Sequence, residues 1–235
     1  MPILSILIPV YNEGRLLESL VDRVAAAKLP DGFRREIVIV DDASQDDTPT
    51  AVRRICEKYD KVKSFRQPQN YGKGAAIRLA VEKMTGDYAV FQDADLEYDP
   101  NDYTDLLQPL LENRADVVYG SRFLKSPEKQ VNFQLHRLAN QFLTFVSNRL
   151  TGLKLTDMET CYKVFRGDIL KSIPIQSNRF GIEPELTVKI AKRQLRICEV
   201  PISFHGRSFQ EGKKLNWRDG IDTLRVLFRC WRDRQ

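Results

Sequence analysis

Histidine is almost absent: the 235-residue chain holds two, His136 and His205. A His-rich transition-metal site is therefore not encoded, and both are read as structural or surface residues. Cysteine is sparse too. The four, Cys56, Cys161, Cys198 and Cys230, lie far apart with no C-x-x-C pair. That spacing argues against a disulfide framework or a zinc site, and it fits a reducing cytosol. No apolar run approaches the roughly 18 uncharged residues that a membrane-spanning helix needs. The N-terminus, MPILSILIPVYNE, lacks a basic leader and a small-residue cleavage site, so it reads as a buried first strand. Repeats, low-complexity tracts and flexible linkers are also lacking.

What is present is an ordinary globular composition, 42% apolar and 29% charged. The net charge of +5 hides an asymmetry. Residues 1–120 hold 15 Lys/Arg against 21 Asp/Glu, and residues 121–235 hold 22 against 11. The second half is the one that should attract anions, whether phosphorylated substrates or an acidic membrane face. Its basic residues are not interleaved with aromatics in a nucleic-acid module, so no nucleic-acid partner is expected.

The first half alternates strands and helices. ILSILIPV, REIVIVDD, YAVFQD and DVVYGS are apolar runs of strand length, and VKSFRQP is a shorter strand. Strands apolar on both faces imply a sheet covered by helices on each side. EGRLLESLVDRVAAAK, DTPTAVRRICEKY and GKGAAIRLAVEKM are helix-like, the second opening on Asp47 or Thr48 with Pro49 behind it. The pattern predicts a parallel α/β sheet with right-handed crossovers. In the second half, residues 131–152 read as a helix with a wide apolar face, and EPELTVKIAKR as another. TCYKVFRGDIL reads as a strand running into a short helix, and RICEVPISF as a strand.

Ligands of such sheets bind beyond the carboxyl ends of the strands. Three polar stretches sit there: PVYNE (9–13), DDASQDD (41–47) and DADLE (93–97). Asp93 and Asp95, one residue apart, can both reach a Mg²⁺ or Mn²⁺ ion, and hard cations prefer such oxygens. Asp41 and Asp42 can accept hydrogen bonds from ribose hydroxyls or a base edge, while Asp46, Asp47 and Thr48 suit helix capping. NYGKGAAI places glycines around Lys73 ahead of a helix. It lacks the Walker spacing, and two readings stay open: a phosphate ligand, or a solvated lysine in a tight turn.

With these strand ends in place, the chain resembles the family 2 glycosyltransferases of the GT-A fold over essentially residues 4–217. SILIPVYNE, IVIVDDASQDDT, GKGAAIRLA and FQDADLEYDP occur in the family's order. VVYGSRF, TDMETCYKVFR, RFGIEPELTVKIAK and EVPISFHGRSFQEGKKLNW are similar to the dolichyl-phosphate mannose synthase and polyprenyl-phosphate glycosyltransferase group. The resemblance implies a Rossmann-like, mostly parallel sheet flanked by helices. It also implies roles. Pro9, Tyr11, Glu13 and one or both of Asp41 and Asp42 would hold the nucleoside, with Arg207 and Lys213 reaching the diphosphate; Lys73 and Asp93 are counted with the nucleotide-binding residues. Asp93 and Asp95 match the metal-binding D-x-D, with Asp95 counted as catalytic, and Glu97 stands where the group often has Gln. Arg122 and Arg137 match arginines near the phosphates, here taken for the acceptor phosphate. Relatives often carry a serine near position 141, where this chain has Gln141.

The implied activity is an inverting, metal-dependent transfer of a hexose (mannose or glucose) from GDP-mannose or UDP-glucose to a polyprenyl or dolichyl phosphate. A second reading is transfer to a hydroxyl of a soluble or cell-surface glycan. A hydroxyl acceptor needs a base. A lipid phosphate, with a second pKa of about 6, does not. Asp157 is accordingly either a catalytic base or a structural orienter. Residues 1–120 read as the nucleotide-sugar and metal-binding half, and 121–210 as the acceptor half of one compact domain. Residues 211–235 read as an amphipathic helix, with Trp217, Ile221, Leu224, Phe228 and Trp231 on one face. Such a helix either packs on the domain or lies in a membrane interface. The expected location is cytoplasmic, peripheral at the cytoplasmic membrane face, with a separate anchoring subunit as a further option.

Overall fold

The structure, a computed structural model, describes residues 1–124, 134–206 and 217–233. Its centre is a seven-stranded sheet in the order β3-β2-β1-β4-β6-β5-β7. The strands are β1 (Ile3–Val10), β2 (Arg34–Asp41), β3 (Val62–Arg66), β4 (Tyr88–Phe91), β5 (Val117–Ser121), β6 (Lys163–Arg166) and β7 (Ile197–Pro201). Only β6 runs antiparallel to its neighbours, wedged between β4 and β5. The sheet is therefore mostly parallel, as the alternating pattern predicts. The helices are α1 (Leu17–Ala26), α2 (Thr48–Lys58), α3 (Lys73–Lys83), α4 (Tyr103–Leu111), α5 (Gln134–Thr151), α6 (Gly167–Ser172), α7 (Ile182–Lys192) and α8 (Trp217–Arg232).

The apolar strand runs do what their composition requires. Leu4, Ile6, Leu7 and Ile8 of β1 and Ile37 through Val40 of β2 are all buried, on both faces of the sheet. Helices cover both faces, so alternation is lost and continuous apolar runs result. One core extends from Leu4 to Ile202. A smaller cluster of Leu143, Met158, Val188, Leu227 and Cys230 seals α5, α7 and α8 together.

One helix was not legible. Residues 103–111 carry Pro109, normally a helix breaker. Here Pro109 lies in the last turn, and Tyr103, Leu106, Leu107 and Leu110 bury one side. Tertiary burial outweighs the missing hydrogen bond. Of the capping residues expected ahead of α2, Asp46 acts and Asp47 does not. Asp47 makes no cap bond, and Asp46 instead accepts from the backbone N–H of Thr48 at 3.0 Å and its hydroxyl at 2.6 Å.

The register brings the strand ends to one rim: Val10 stands beside Asp41, Asp41 beside Arg66, and Leu7 beside Phe91. At the opposite end of the sheet a buried carboxylate, Glu36, ties the strands together. It accepts from Ser5 Oγ at 2.5 Å, Lys63 Nζ at 2.6 Å, and the Thr85 N–H and hydroxyl at 2.8 Å each. Burial alone would raise its pKa, but these donors outweigh it and hold the carboxyl at about 2. A depressed carboxyl stabilises fully above its unfolded value and loses that contribution as pH falls toward the folded one. Glu36→Gln should therefore cost about 2 kcal/mol at pH 7, after discounting the half-exposed Lys63 partner. Urea melts should show that difference shrinking between about pH 5 and pH 2. An equal loss at every pH would contradict it.

Candidate active site

Three loops leave the carboxyl ends of β1, β2 and β4. Each contains a non-glycine residue with positive φ: Asn12 at 52°, Ala43 at 60° and Leu96 at 62°. Only five such residues occur among those described, so more than half lie on this rim. Backbone strain of this kind persists where surrounding structure enforces it, and it concentrates at functional sites.

Hydrogen bonds lace the first two loops together. The Asn12 N–H donates to Ser44 Oγ at 3.0 Å, Glu13 N–H to Thr48 Oγ1 at 3.0 Å, and Gln45 N–H to Asn12 Oδ1 at 2.8 Å. Pro9 lies within β1, and Tyr11 and Glu13 stand half-buried just beyond it. Asp41 and Asp42 are both buried. The carboxylate of Asp41 accepts from Ser44 N–H at 2.8 Å and Arg66 Nη1 at 2.7 Å. That of Asp42 accepts from Gln67 Nε2 at 2.9 Å, Tyr71 N–H at 2.9 Å and Gly72 N–H at 2.7 Å. Burial pushes the Asp42 carboxyl up despite these bonds. Asp42 thus shapes the loop leading into α3.

That loop does not cradle an anion in the manner of a phosphate loop. Gly72 has φ 101°, and a Cβ there would meet Asn178 O at 2.5 Å; a Cβ on Gly74 would meet Ser177 O at 2.2 Å. The glycines exist so that the start of α3 can lie against residues 177–179. Lys73 is neither solvated nor aimed at open space. Its ammonium sits 2.8 Å from Asp93 Oδ1 and 2.9 Å from Glu183 Oε1. Burial would lower its pKa, but Asp93 and Glu183 raise it well above the ordinary value.

Asp93, Asp95 and Glu97 follow β4. Buried Gln92 anchors this loop: its amide donates to Asp93 O at 3.0 Å, and its carbonyl accepts from the Tyr103 and Tyr162 hydroxyls at 2.6 and 2.7 Å. The Glu97 carbonyl accepts from His205 N–H at 2.8 Å. The acidic loop is therefore stapled to the segment after β7 that leads toward Arg207 and Lys213, which lie outside the described residues. Among the described residues, no three His, Cys, Asp or Glu side chains converge as a ready-made metal cage. The donors on the loop are hard oxygens, and Glu183 Oε2 is buried beside them without a partner. This set suits a Mg²⁺-like ion that completes its shell with substrate phosphates.

The arginine side of the site is built on Asp157, which is fully buried. Arg122 donates to Asp157 Oδ2 from Nε at 2.7 Å and from its backbone N–H at 3.1 Å. Arg122 Nη2 and Asn140 Nδ2 donate to Oδ1 at 2.8 and 3.0 Å. Burial raises the Asp157 pKa, yet Arg122 and Asn140 bring it below the usual value. Four donors on one carboxylate orient the guanidinium, and they leave a poor proton acceptor. Glu199 holds the loop from behind, accepting from Thr156 N–H at 2.8 Å and Asp157 N–H at 3.0 Å. The guanidinium carbon of Arg122 lies 5.8 Å from the Phe123 ring centroid, and that of Arg137 lies 5.6 Å from the same ring. Both predicted arginines therefore flank one aromatic. Beneath them, burial and the neighbouring Glu183 push the Glu159 carboxyl up to about 8, and burial lowers the Lys163 ammonium.

Glu183, Gln92, Asn140 and Glu199 had no assigned role in the sequence. Each acts through a partner far away in the chain. An open cavity of about 810 Å³ between α1 and α2, lined by Glu18, Asp22 and Arg54, holds paired surface charges and does not include Asp93.

The glycosyl transferase family 2 model matches residues 5–173. The chain belongs to that family. This family 2 member is 28% identical to a dolichol-phosphate mannosyltransferase of Pyrococcus furiosus, over 96% of this chain and 62% of that protein. It is 26% identical to a dodecaprenyl-phosphate galacturonate synthase of Rhizobium johnstonii, over 96% and 66%. It is 31% identical to a dolichyl-phosphate beta-glucosyltransferase of Saccharomyces cerevisiae, over 86% and 66%. The chain spans about two thirds of the length of these relatives. The glucosyl-3-phosphoglycerate synthase of Mycobacterium tuberculosis, solved with Mn²⁺, UDP-glucose and phosphoglyceric acid, superposes with a TM-score of 0.72. At 21% identity over 98% of this chain and 80% of that one, the likeness establishes the fold, which is GT-A.

The Lys73 ammonium pairs with Asp93, the carboxylate that the family resemblance implies for a divalent ion. Lys73→Met should therefore tighten Mn²⁺ binding to the nucleotide-free protein, by roughly tenfold. Electron paramagnetic resonance of free Mn²⁺ reads this directly, and unchanged or weaker binding would refute the competition.

Proposed function

We propose that this protein is a metal-dependent, inverting hexosyltransferase that moves mannose or glucose from a nucleotide sugar to a polyprenyl phosphate at the cytoplasmic face of a membrane. The observation that carries the reading is the Arg122 clamp. A buried, fully hydrogen-bonded carboxylate fixes one guanidinium, and Arg137 stands across the same aromatic ring. A pre-oriented arginine pair suits a phosphate, whose oxygens accept bidentate donation. The same clamp leaves Asp157 a poor proton acceptor, which favours the orienting role, and a phosphate acceptor needs no base. The names of the relatives supply the lipid class, and the nucleotide-sugar chemistry of the superposed synthase supplies the donor class.

On this reading the rim formed by Pro9, Tyr11, Glu13 and Asp41 faces the nucleoside, with Arg207 and Lys213 reaching the diphosphate. Asp93 and Asp95, with Glu97 beside them, would hold a Mg²⁺ or Mn²⁺ ion, which when bound offsets charge on the departing diphosphate. Arg122 and Arg137 hold the acceptor so that one phosphate oxygen faces the anomeric carbon opposite the leaving group. That oxygen attacks, the bond from the anomeric carbon to the diphosphate oxygen breaks, and the diphosphate leaves with the bonding pair. Configuration inverts, so an α-linked donor gives a β-linked lipid phosphate sugar. No proton is moved in this step, because the acceptor arrives largely as its dianion.

A panel of radiolabelled nucleotide sugars, incubated with a short-chain prenyl phosphate and Mg²⁺ or Mn²⁺, tests this. Label should enter the organic phase with one donor. Label appearing instead on a water-soluble glycan would defeat the lipid-phosphate reading. The pH profile of kcat/KM should fall below about pH 6 as the acceptor phosphate takes up its second proton. Asp157→Asn should keep that limb while raising KM for the acceptor, because the residue orients Arg122. If Asp157 were the base, the limb would vanish with kcat. Asp93→Asn and Asp95→Asn should each lower turnover by roughly 100-fold.

A further inference from the structure

Tyr98 stands directly after the acidic loop of residues 93–97, and its side chain is buried. It makes contacts in two directions. Its hydroxyl accepts from the Cys161 N–H at 3.1 Å, 63 residues away in the chain. Cys161 ends the short loop that begins at Asp157, the carboxylate that fixes Arg122. The Cys161 thiol also lies against Asp93, and burial, helped by that carboxylate, pushes the thiol pKa up. In the second direction, the Tyr98 ring packs edge-on against Phe204 with centroids 5.2 Å apart, and the two residues share an antiparallel bridge. The guanidinium carbon of Arg122 stands 5.1 Å from the centroid of that same Phe204 ring. One tyrosine therefore reaches the arginine clamp by two routes, through Cys161 to Asp157 and through Phe204.

The acidic loop is gripped from the same cluster. Tyr162 packs on Tyr98 with centroids 4.7 Å apart, and its hydroxyl donates to the Gln92 side chain that holds Asp93 O. Asp93, Gln92, Tyr162, Tyr98, Phe204 and Arg122 thus form one continuous path, built largely of rings. Close-packed interiors resist compression, so such a path transmits position with little slack. Burial pushes the Tyr98 hydroxyl far above the ordinary tyrosine range, and the charges of Arg122, Asp157 and Asp93 all act on it. Both ends of the site are felt at this one oxygen. Other bonds hold the 157–161 loop too: Met158 N–H donates to Thr144 Oγ1 at 3.1 Å, and Lys163 Nζ to Met158 O at 3.0 Å. Those tie it to α5 and β6. Tyr98 and Cys161 join it to the acidic loop.

We propose that Tyr98 is a positioning residue that sets the separation between the Asp93–Asp95 loop and Arg122, and so between the donor diphosphate and the acceptor phosphate. This deepens the proposed function and rests on it for which substrate lies at each end. Transfer needs the attacking oxygen within about 3–3.5 Å of the anomeric carbon, and an error of about 1 Å can cost roughly 100-fold. Phenylalanine at position 98 keeps the ring but leaves the buried Cys161 N–H without its acceptor.

Tyr98→Phe and Phe204→Leu test this. Tyr119→Phe serves as the control, since it removes an equally buried tyrosine hydrogen bond, to Thr187 at 2.9 Å. Amide exchange read by mass spectrometry should be roughly tenfold faster at Arg122 and residues 157–161 in Tyr98→Phe, and unchanged there in Tyr119→Phe. With a short-chain prenyl phosphate, Tyr98→Phe and Phe204→Leu should each lower kcat/KM for the acceptor by roughly tenfold. Asp157→Asn added to Tyr98→Phe should lower it little further, because both act through Arg122. Full additivity, or exchange in Tyr98→Phe equal to wild type, would overturn the proposal. So would an equal effect of Tyr119→Phe, since loss of any buried hydroxyl would then suffice. If wild type transfers to no prenyl phosphate, the acceptor reading falls, and the exchange measurement still decides whether Tyr98 positions the clamp.

Discussion

One ammonium group holds the two halves of this site together. Lys73, at the start of α3, reaches Asp93 at the end of β4 and Glu183 at the start of α7. Without it, half-buried Asp93 and buried Glu183, from distant parts of the chain, would face each other uncompensated. With it, the acidic rim of the first half is tied to the helical layer of the second. The close approach of residues 72–74 to 177–179, possible only because Gly72 and Gly74 lack side chains, is what lets the ammonium arrive.

On the proposed function, the charge asymmetry along the chain becomes a division of labour across the site. The acidic loops after β2 and β4 collect carboxylates, which can hold a diphosphate only through cations. The basic second half supplies Arg122 and Arg137, each set around Phe123. These arginines are not equivalent. Arg122 is half of a buried pair whose carboxylate is itself held by Asn140, and whose loop is held by Glu199. Arg137 lies exposed on α5. One arginine is fixed by the core and the other looks outward.

Much of this was legible in the sequence. Strands buried on both faces read as continuous apolar runs, so β1, β2, β4 and β5 could be placed without coordinates. Acidic residues at strand ends are conspicuous because nothing in a strand's packing asks for them, and that made Asp93 and Asp95 stand out. The helix at residues 103–111 was hidden by Pro109, since local propensity cannot see the burial of Leu106, Leu107 and Leu110. Lys73 kept two readings open, and the structure overturns the solvated one: its ammonium pairs with Asp93 and Glu183.

What the sequence determined by itself was everything that depends on local pattern: the α/β rhythm, the rim of polar strand ends, the sign of charge in each half, and two amphipathic helices. What only the tertiary structure decided was pairing. That Asp157 is saturated by Arg122 and Asn140, that Asp42 shapes a loop, that β6 enters the sheet antiparallel, and that α5, α7 and α8 share one small cluster all require partners far apart in the chain. Periodicity reports which face of an element avoids water. It carries no information about which distant group will satisfy a buried charge, because that choice is made only when the elements pack.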